Sequence, residues 1–294
     1  MSKSYIKWAG GKSQLAGELM RRFPAKFDRY IEPFCGSASL FFAFYGKEPD
    51  MFDCDIRPAF LNDSNALLVN THLSVRDNVK SVLKVLHNIQ SKFDAAVDKV
   101  EHYRLCRDEF NNNVVDMLSK EPWAFGAAAF ILINKTCFNG LWRVNSDGKF
   151  NVPFNQMTNT KIYNKVKLLR CSELLNQAEL SCGDFASFIE STVKKDDFVF
   201  LDPPYIPLSD TSNFTSYTED GWKTPVDDNR LNDSLKIIDD RGAKFMMTNS
   251  NASLVYDVFG QWKIDTVEAH RFVKAINEPD SKREKVLETV ITNY

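Results

Sequence analysis

The chain is poor in the residues from which metal centres, disulfide frameworks and histidine-based catalytic sites are built. Its six cysteines (35, 54, 106, 137, 171 and 182) include no Cys-x-x-Cys pair, and its four histidines (72, 87, 102 and 270) are scattered. Reduced thiols in a cytoplasmic protein are expected, with no metal site. No apolar run approaches the ~20 residues that span a bilayer, and the opening Met-Ser-Lys-Ser-Tyr-Ile-Lys has no apolar signal segment behind it. No membrane partner is expected. A large positive charge is also lacking: the formal net charge is −2, which argues weakly against nucleic acid, since a duplex binder needs cations for its phosphates. Local balance softens that argument. Residues 1–30 hold seven basic and two acidic residues, and residues 134–170 hold seven basic and one acidic. Two such windows beside aromatic and Asn/Gly-rich sequence are the pattern of a nucleic-acid surface.

What is present is enough for one large or two modest domains: 294 residues, 44% apolar, with 23 phenylalanines. The opening Lys7-Trp8-Ala9-Gly10-Gly11-Lys12 reads as a loop entering a helix with apolar positions Leu15, Leu19 and Met20. A strand from Tyr30 to Phe34 runs through Cys35-Gly36-Ser37-Ala38 into an apolar helix, Leu40 to Tyr45, and a second strand near 59–62 ends at Asp63. Strand, glycine loop, helix, strand and acid in that order suit a nucleotide-binding βαβ unit whose acid meets a ribose. Between residues 65 and 135 the apolar spacing is helical, including a dense run from Trp123 to Ile133, and no strand is evident. A polar loop or hairpin follows at 134–160. Further strands are predicted at Leu180–Cys182, Phe198–Leu201, Lys244–Thr248, Asp265–Ala269 and Leu287–Thr292, with a helix near Asn229–Asp240 stopped by Gly242. The expectation is an α/β domain split by a mostly helical insertion: 1–64 and 166–294 around 65–165.

The strand Phe198–Leu201 stops at Asp202-Pro203-Pro204-Tyr205. The prolines fix φ and force residues 202 and 203 into extended geometry, so the turn presents a carboxylate, a stiff carbonyl and an aromatic ring together. An exocyclic amine on a nucleobase is a poor nucleophile because its lone pair is delocalised. Two acceptors holding its N–H groups would draw the nitrogen toward tetrahedral geometry while Tyr205 stacks on the base, which is stabilisation of a transition state by fixed charge and dipoles. The chemistry read from these four residues is methyl transfer to an amino group.

Taken together, the 7–12 segment, Glu32-Pro33-Phe34-Cys35-Gly36, Asp63-x-Asn65, Asn134 through Phe154 and Asp202-Pro203-Pro204-Tyr205-Ile206-Pro207-Leu208 follow one order. That order resembles the DNA adenine methyltransferase (Dam) family, N6-adenine enzymes whose recognition domain precedes the catalytic tetrapeptide. The resemblance continues through Ser212-Asn213-Phe214-Thr215-x-Tyr217, Thr248-Asn249-Ser250 and Arg271 to Tyr294. It implies a Rossmann-like sheet of the S-adenosyl-methionine-dependent type carrying an inserted, mostly helical DNA-recognition domain with a β-hairpin. It implies S-adenosyl-methionine as cofactor, double-stranded DNA as partner and a monomer. Such enzymes act in DNA methylation, restriction-modification included.

By the same resemblance Trp8, Lys12, Phe34, Gly36, Asp63, Asp184, Phe185 and Asp202 would bind the cofactor. The Trp8 face would suit its sulfonium, Lys12 its carboxylate, Asp63 its ribose, and Asp184 with Phe185 its adenine. For the last pair, an N-cap aspartate beside a core phenylalanine is the competing reading. Ala38 stands where the family usually has a second glycine. Phe138, Asn139 and Leu141 would enter the duplex and fill the gap left by a flipped base. Arg143 would read a guanine edge, Pro153 a thymine methyl and Lys7 an outer base, which favours GATC. Phe150, Val152 and Phe154 are assigned to the core. Two rivals are cytosine-N4, RNA or protein-glutamine methylation, and a DNA-binding protein on the same fold without cofactor. Asp202 and the placement of the hairpin favour adenine in DNA. Intact Trp8, Lys12, Asp63 and Tyr205 favour a working cofactor site.

Overall fold

The structure is a computed structural model that describes residues 2–47, 57–114, 123–156, 160–207, 222, 225–272 and 283–294. The 212–217 motif, Leu208 and the side chain of Arg271 lie outside the described residues. A short 3₁₀ turn, Lys12–Gln14, precedes α1 (Ala16–Arg21), β1 (Tyr30–Glu32), α2 (Ser39–Tyr45) and β2 (Ala59–Asp63). Among the described residues three helices follow without a strand: α3 (Ala66–Ala95), α4 (Lys99–Asn112) and α5 (Ala124–Thr136). The chain returns through α6 (Lys165–Leu175), β3 (Ala178–Cys182), α7 (Phe185–Thr192), β4 (Phe198–Leu201), α8 (Val226–Asp240) and β5 (Lys244–Ser250). It ends with α9 (Ser253–Phe259), β6 (Lys263–Phe272) and β7 (Arg283–Thr292).

The seven strands form one sheet in the order β3-β2-β1-β4-β5-β7-β6. All neighbouring pairs from β3 to β5 are parallel, and β7 runs antiparallel between β5 and β6. Period-2 alternation explains how both faces are covered. Phe198 and Phe200 face one core and Val199 and Leu201 the other, as do Tyr30 against Ile31 and Met246 against Phe245 and Met247. Phenylalanine abundance finds its use here: Phe23 packs on Phe198 at 4.5 Å between ring centroids and on Phe44 at 5.3 Å. The strand order reverses at β1, which pairs with β2 on one side and β4 on the other. Ligands of doubly wound sheets sit in the crevice at such a point, beyond the carboxyl ends of the strands. This is the expected methyltransferase-type sheet, and the helices α3–α5 are inserted between β2 and β3.

The insertion is not detached from the sheet. Asn78 breaks α3 with non-helical dihedrals (φ −141°, ψ 38°). Before the break, His72 hydrogen-bonds Tyr5 Oη (2.8 Å) and the Gly36 carbonyl (2.9 Å). Beyond α5 the expected hairpin has, among the described residues, only two antiparallel bridges, Cys137 to Phe154 and Val144 to Phe150. Side chains from α4 hold it instead. Asn111 bonds both the amide and the carbonyl of Phe150 (2.9 and 3.0 Å), and Tyr103 donates to the Val152 carbonyl (2.8 Å). Phe150 and Val152 are buried and Phe154 packs against the same core, as assigned.

Ala38 begins α2 in the left-handed region (φ 51°, ψ 37°) and is fully buried. A non-glycine residue there carries strain of about 1–2 kcal/mol. Glycine would relieve it but would add about 0.4–1 kcal/mol of unfolded-chain entropy and forfeit a buried methyl worth about 0.8 kcal/mol. These effects nearly cancel. Ala38→Gly is therefore expected to move stability by no more than about 1 kcal/mol in urea denaturation. A larger loss would mean that the methyl is a packing requirement.

Candidate active site

The loop before α1 is a tight turn. Gly11 N–H bonds the Trp8 carbonyl (3.1 Å), and Gly10 takes φ +81° at the position that demands it. The turn aims Lys12 inward, where it is only 5% exposed. Its ammonium lies 2.6 and 2.7 Å from the two Asp202 oxygens and 2.5 Å from the Gly10 carbonyl, so all three donors are engaged. Thr248 Oγ1, from β5, donates to Asp202 Oδ1 at 2.8 Å. Burial pushes the Asp202 carboxyl above its ordinary range, against the lowering effects of Lys12 and Thr248. Lys12 is thus spent on the end of β4 in this arrangement, where the resemblance gave it to a cofactor carboxylate.

The Asp-Pro-Pro-Tyr turn is fixed on its far side as well. Ile206 N–H donates to Asn249 Oδ1 (3.0 Å), and Ser250 Oγ donates to the Ile206 carbonyl (2.6 Å). Tyr205 Oη donates to Glu288 Oε2 on β7 (2.7 Å), and the Lys12 ammonium lies 4.8 Å from the Tyr205 ring centroid. Thr248 lay inside the Thr248-Asn249-Ser250 stretch of the resemblance but was given no role, and Glu288 was not singled out from the sequence. Each sits on a strand in the other half of the chain's β pattern, and only the sheet order brings them to residue 202.

At the end of β1, Gly36 adopts φ +49°, and a Cβ there would meet Trp8 Cδ1 at 2.9 Å. Its N–H donates to Asp63 Oδ2 (2.8 Å), while Asp63 Oδ1 accepts from Asn65 N–H (2.9 Å). Burial pushes the Asp63 carboxyl above its ordinary range, and those two amides draw it back in part. Trp8, Gly36 and Asp63 are therefore brought to one place. Phe34 and Phe185 lie 4.9 Å apart, and Trp222 stacks on Phe185 at 5.7 Å. Trp222 completes this aromatic group and had no local signal in the sequence.

Asp184 is the N-cap of α7, accepting from Ala186 and Ser187 N–H (3.1 and 3.2 Å). It also pairs with Arg230 at 2.8 Å. Burial raises its pKa, but Arg230 and the cap amides outweigh that and hold it below the ordinary range. The capping alternative is thus what the geometry contains, and Arg230 lies 5.0 Å over the Phe185 ring.

Of the residues that the resemblance assigns to DNA, Phe138, Asn139, Arg143, Pro153 and Lys7 are exposed, whereas Leu141 is half-buried against the core. Asn139 takes φ +54° and Gly140 φ +67° in a 3₁₀ turn, Phe138–Gly140. A Cβ at Gly140 would meet Lys7 Cβ at 2.6 Å. Arg143 Nε donates to Asn151 Oδ1 (2.7 Å). Asn134, 1% exposed on α5, accepts from Lys7 N–H (2.9 Å) and donates to the Lys7 carbonyl (2.7 Å). Trp142 is buried and stacks on Trp8 at 6.2 Å. Asn134 lay inside the quoted resemblance, but its grip on the 7–8 backbone was not foreseen.

Fold and site together define a methyltransferase: a 3-2-1-4-5-7-6 sheet with an acid–Pro–Pro–aromatic turn at the end of its fourth strand. The profile of the D12 class N6 adenine-specific DNA methyltransferases matches residues 8–273, and the chain belongs to that family. Type II methyltransferase M1.LlaDCHI of Lactococcus lactis subsp. cremoris is 34% identical over 294 residues, covering 99% of this chain and 95% of that protein. Type II methyltransferase M.MjaIII of Methanocaldococcus jannaschii is 33% identical over 99% of both chains. The DNA adenine methylase of Escherichia coli K12 is 27% identical, covering 97% and 94%. A solved rRNA methyltransferase from Streptomyces viridochromogenes aligns over 95% of this chain and 83% of its own at 10% identity. Its TM-score of 0.36 is too loose to bear on the site. Membership makes the chain an enzyme that methylates adenine in DNA and implies S-adenosyl-methionine as methyl donor. Among the described residues, no helix is long and apolar enough to cross a membrane, and no cluster of potential metal ligands occurs.

Proposed function

We propose that the enzyme flips an adenine out of duplex DNA, within GATC, and methylates its N6. The observation that carries this reading is the Asp202 carboxylate, fixed by Lys12 and Thr248 beside the Tyr205 ring. In the proposed mechanism Asp202 and the Pro203 carbonyl accept the two N–H groups of the extruded amine. Tyr205, its hydroxyl tied to Glu288, stacks on the purine. Pro204 keeps the turn stiff. The raised affinity of Asp202 for protons suits it to receive the one that nitrogen sheds. Stabilisation comes from acceptors already in place, which cost no reorganisation during reaction.

S-adenosyl-methionine supplies an electrophilic methyl group when bound. The residues fit it: Gly36 leaves no side chain between the backbone and the Trp8 ring, and Asp63 keeps acceptor capacity beyond its two amides. Trp8 and Gly36 would hold the methionine part, Asp63 the ribose, and Phe34 with Phe185 the adenine. Asp184 would act there through its cap and Arg230. Lys12 holds Asp202 in this arrangement, and to meet the cofactor carboxylate as well its ammonium would exchange its bond to the Gly10 carbonyl for that contact.

Residues 1–64 and 166–294 would form the catalytic part and 65–165 the DNA-recognition part of a monomer. Support for GATC rests on the resemblance at Lys7, Asn139, Arg143 and Pro153, all of them exposed. Phe138, Asn139 and Leu141 would occupy the gap in the duplex. The test is to sequence methylated adenines in DNA from cells expressing the chain. Modification confined to GATC is expected, and adenines modified in another sequence would reject the assignment of the site. For Arg143→Ala, discrimination at one base pair should fall by about 1–3 kcal/mol. Methylation rates on singly substituted duplexes measure it. Unchanged rejection of every substitution would remove Arg143 from the readout.

A further inference from the structure

One basic feature is not used by the chemistry above. A cavity of about 170 Å³ opens where three parts of the chain meet, and its lining includes Tyr5, Lys135, Lys161, Tyr163, Asn164 and Lys167. It has room for several waters or one tetrahedral anion, at about 30 Å³ per water. Tyr5 comes from the segment leading to Lys7, Lys135 from the last turn of α5, and the others from the segment entering α6.

The three lysines converge there with no acidic partner among the described residues. Lys135 and Lys167 are half-buried and Lys161 is exposed at the rim. Burial first, then Lys167 and Lys7, push the Lys135 ammonium down to about 8. Burial likewise lowers Lys167, opposed by Cys171 and assisted to a smaller degree by Lys3. Convergent ammonium groups in a concave, half-buried place repel one another unless an anion lies between them. Seven basic residues against one acidic in 134–170 carry the same signal in the sequence, and three of the seven line this cavity.

We propose that this pocket is a phosphate-binding subsite that clamps one phosphodiester of the DNA backbone outside the recognised bases. Its location identifies the duplex as the source of that phosphate. Tyr5, two residues before the DNA-facing Lys7, lines the pocket, Lys7 is close enough to act on the Lys135 ammonium, and Asn134, the residue before Lys135, holds both backbone polar groups of Lys7. The inference rests on the DNA-binding reading above.

The test compares wild type with the double variant Lys161→Ala/Lys167→Ala, and with Lys165→Ala, an exposed lysine of the same turn that does not line the cavity. Affinity for a duplex is measured across a salt series. Each phosphate neutralised contributes about 0.9 to the slope of log K against log salt, so the double variant, losing its one phosphodiester, should lose about 0.9 and the control close to nothing. Single methylphosphonate linkages placed along the duplex should weaken wild type at one position outside the recognised bases. The same linkage should cost the double variant nothing further. Equal slopes for double variant and control, or no such position, would overturn the clamp. Calorimetric titration with inorganic phosphate separates the sources: lysine-dependent phosphate binding with an unchanged DNA slope would assign the pocket to a free anion and also overturn it. Wild type that fails to bind any duplex would instead sink the DNA reading itself.

Discussion

Asp202→Asn is expected to cut methyl transfer by at least about 10²–10³-fold, the usual cost of losing one fixed group that acts on developing charge. The amide offers one acceptor where the carboxylate offers two, and it can no longer take the proton. The same change strips Lys12 of its counter-ion. Removing one partner of a buried pair costs about 3–5 kcal/mol, and the partial exposure of Asp202 places this case near the lower figure. A stability loss could therefore imitate a chemical one. The double variant Lys12→Met/Asp202→Asn resolves this, because no unpaired ammonium remains. Its urea midpoint should recover most of the loss while methylation stays low. Recovery of activity along with stability would show that Asp202 serves the fold and not the reaction.

Glu32→Gln is expected to change how stability depends on pH. Glu32 is 2% exposed at the end of β1, and its Oε1 accepts from Tyr30 Oη and from Phe41 N–H (3.1 Å). Burial pushes its carboxyl up to about 8 from an ordinary 4.5. The two hydrogen bonds oppose the shift, and the charge of Asp202 assists it. A carboxyl whose folded pKa is raised favours the fold in its protonated state. That contribution is complete below about 4.5 and lost as pH climbs through about 8. The loss amounts to something on the order of 4–5 kcal/mol across the window. Glutamine keeps the shape and the accepting oxygen but cannot ionise. Wild type and Glu32→Gln should therefore have similar stability near pH 5 and diverge by pH 9, with the variant ahead. Parallel curves in urea denaturation at the two pH values would show that Glu32 is already ionised within the fold.

The parts legible in the sequence were those whose cause is local. Phe198–Leu201 is a buried apolar run, Gly46 and Gly242 stop helices, and the prolines stiffen residues 202–205. Strand ends were read short at β5, β6 and β7, because their terminal residues alternate weakly and are held by neighbours. The helix Ser253–Phe259 was missed, being seven residues long between two strands. Asp184 could not be decided from its surroundings in the chain, since Arg230, which pairs with it, lies on α8. Glu288 and Trp222 needed the fold itself, since nothing near them in sequence distinguishes a site residue from an ordinary strand or loop side chain; Thr248 lay in a stretch of the resemblance, but its bond to Asp202 needed β5 beside β4. Lys12 was found by its motif, but its bond to Asp202 spans most of the molecule.

Asn134 grips the main chain of Lys7 at both its polar groups, and the Phe138–Gly140 turn closes on the same residue with no space for a methyl. The indole of Trp8, one residue on, is thereby mounted on the same block as the edge that would meet DNA. A wrong sequence that tilts that edge would also tilt the indole proposed to meet the cofactor. Fidelity in this enzyme would then need no messenger between reading and chemistry, because one bracket would serve both.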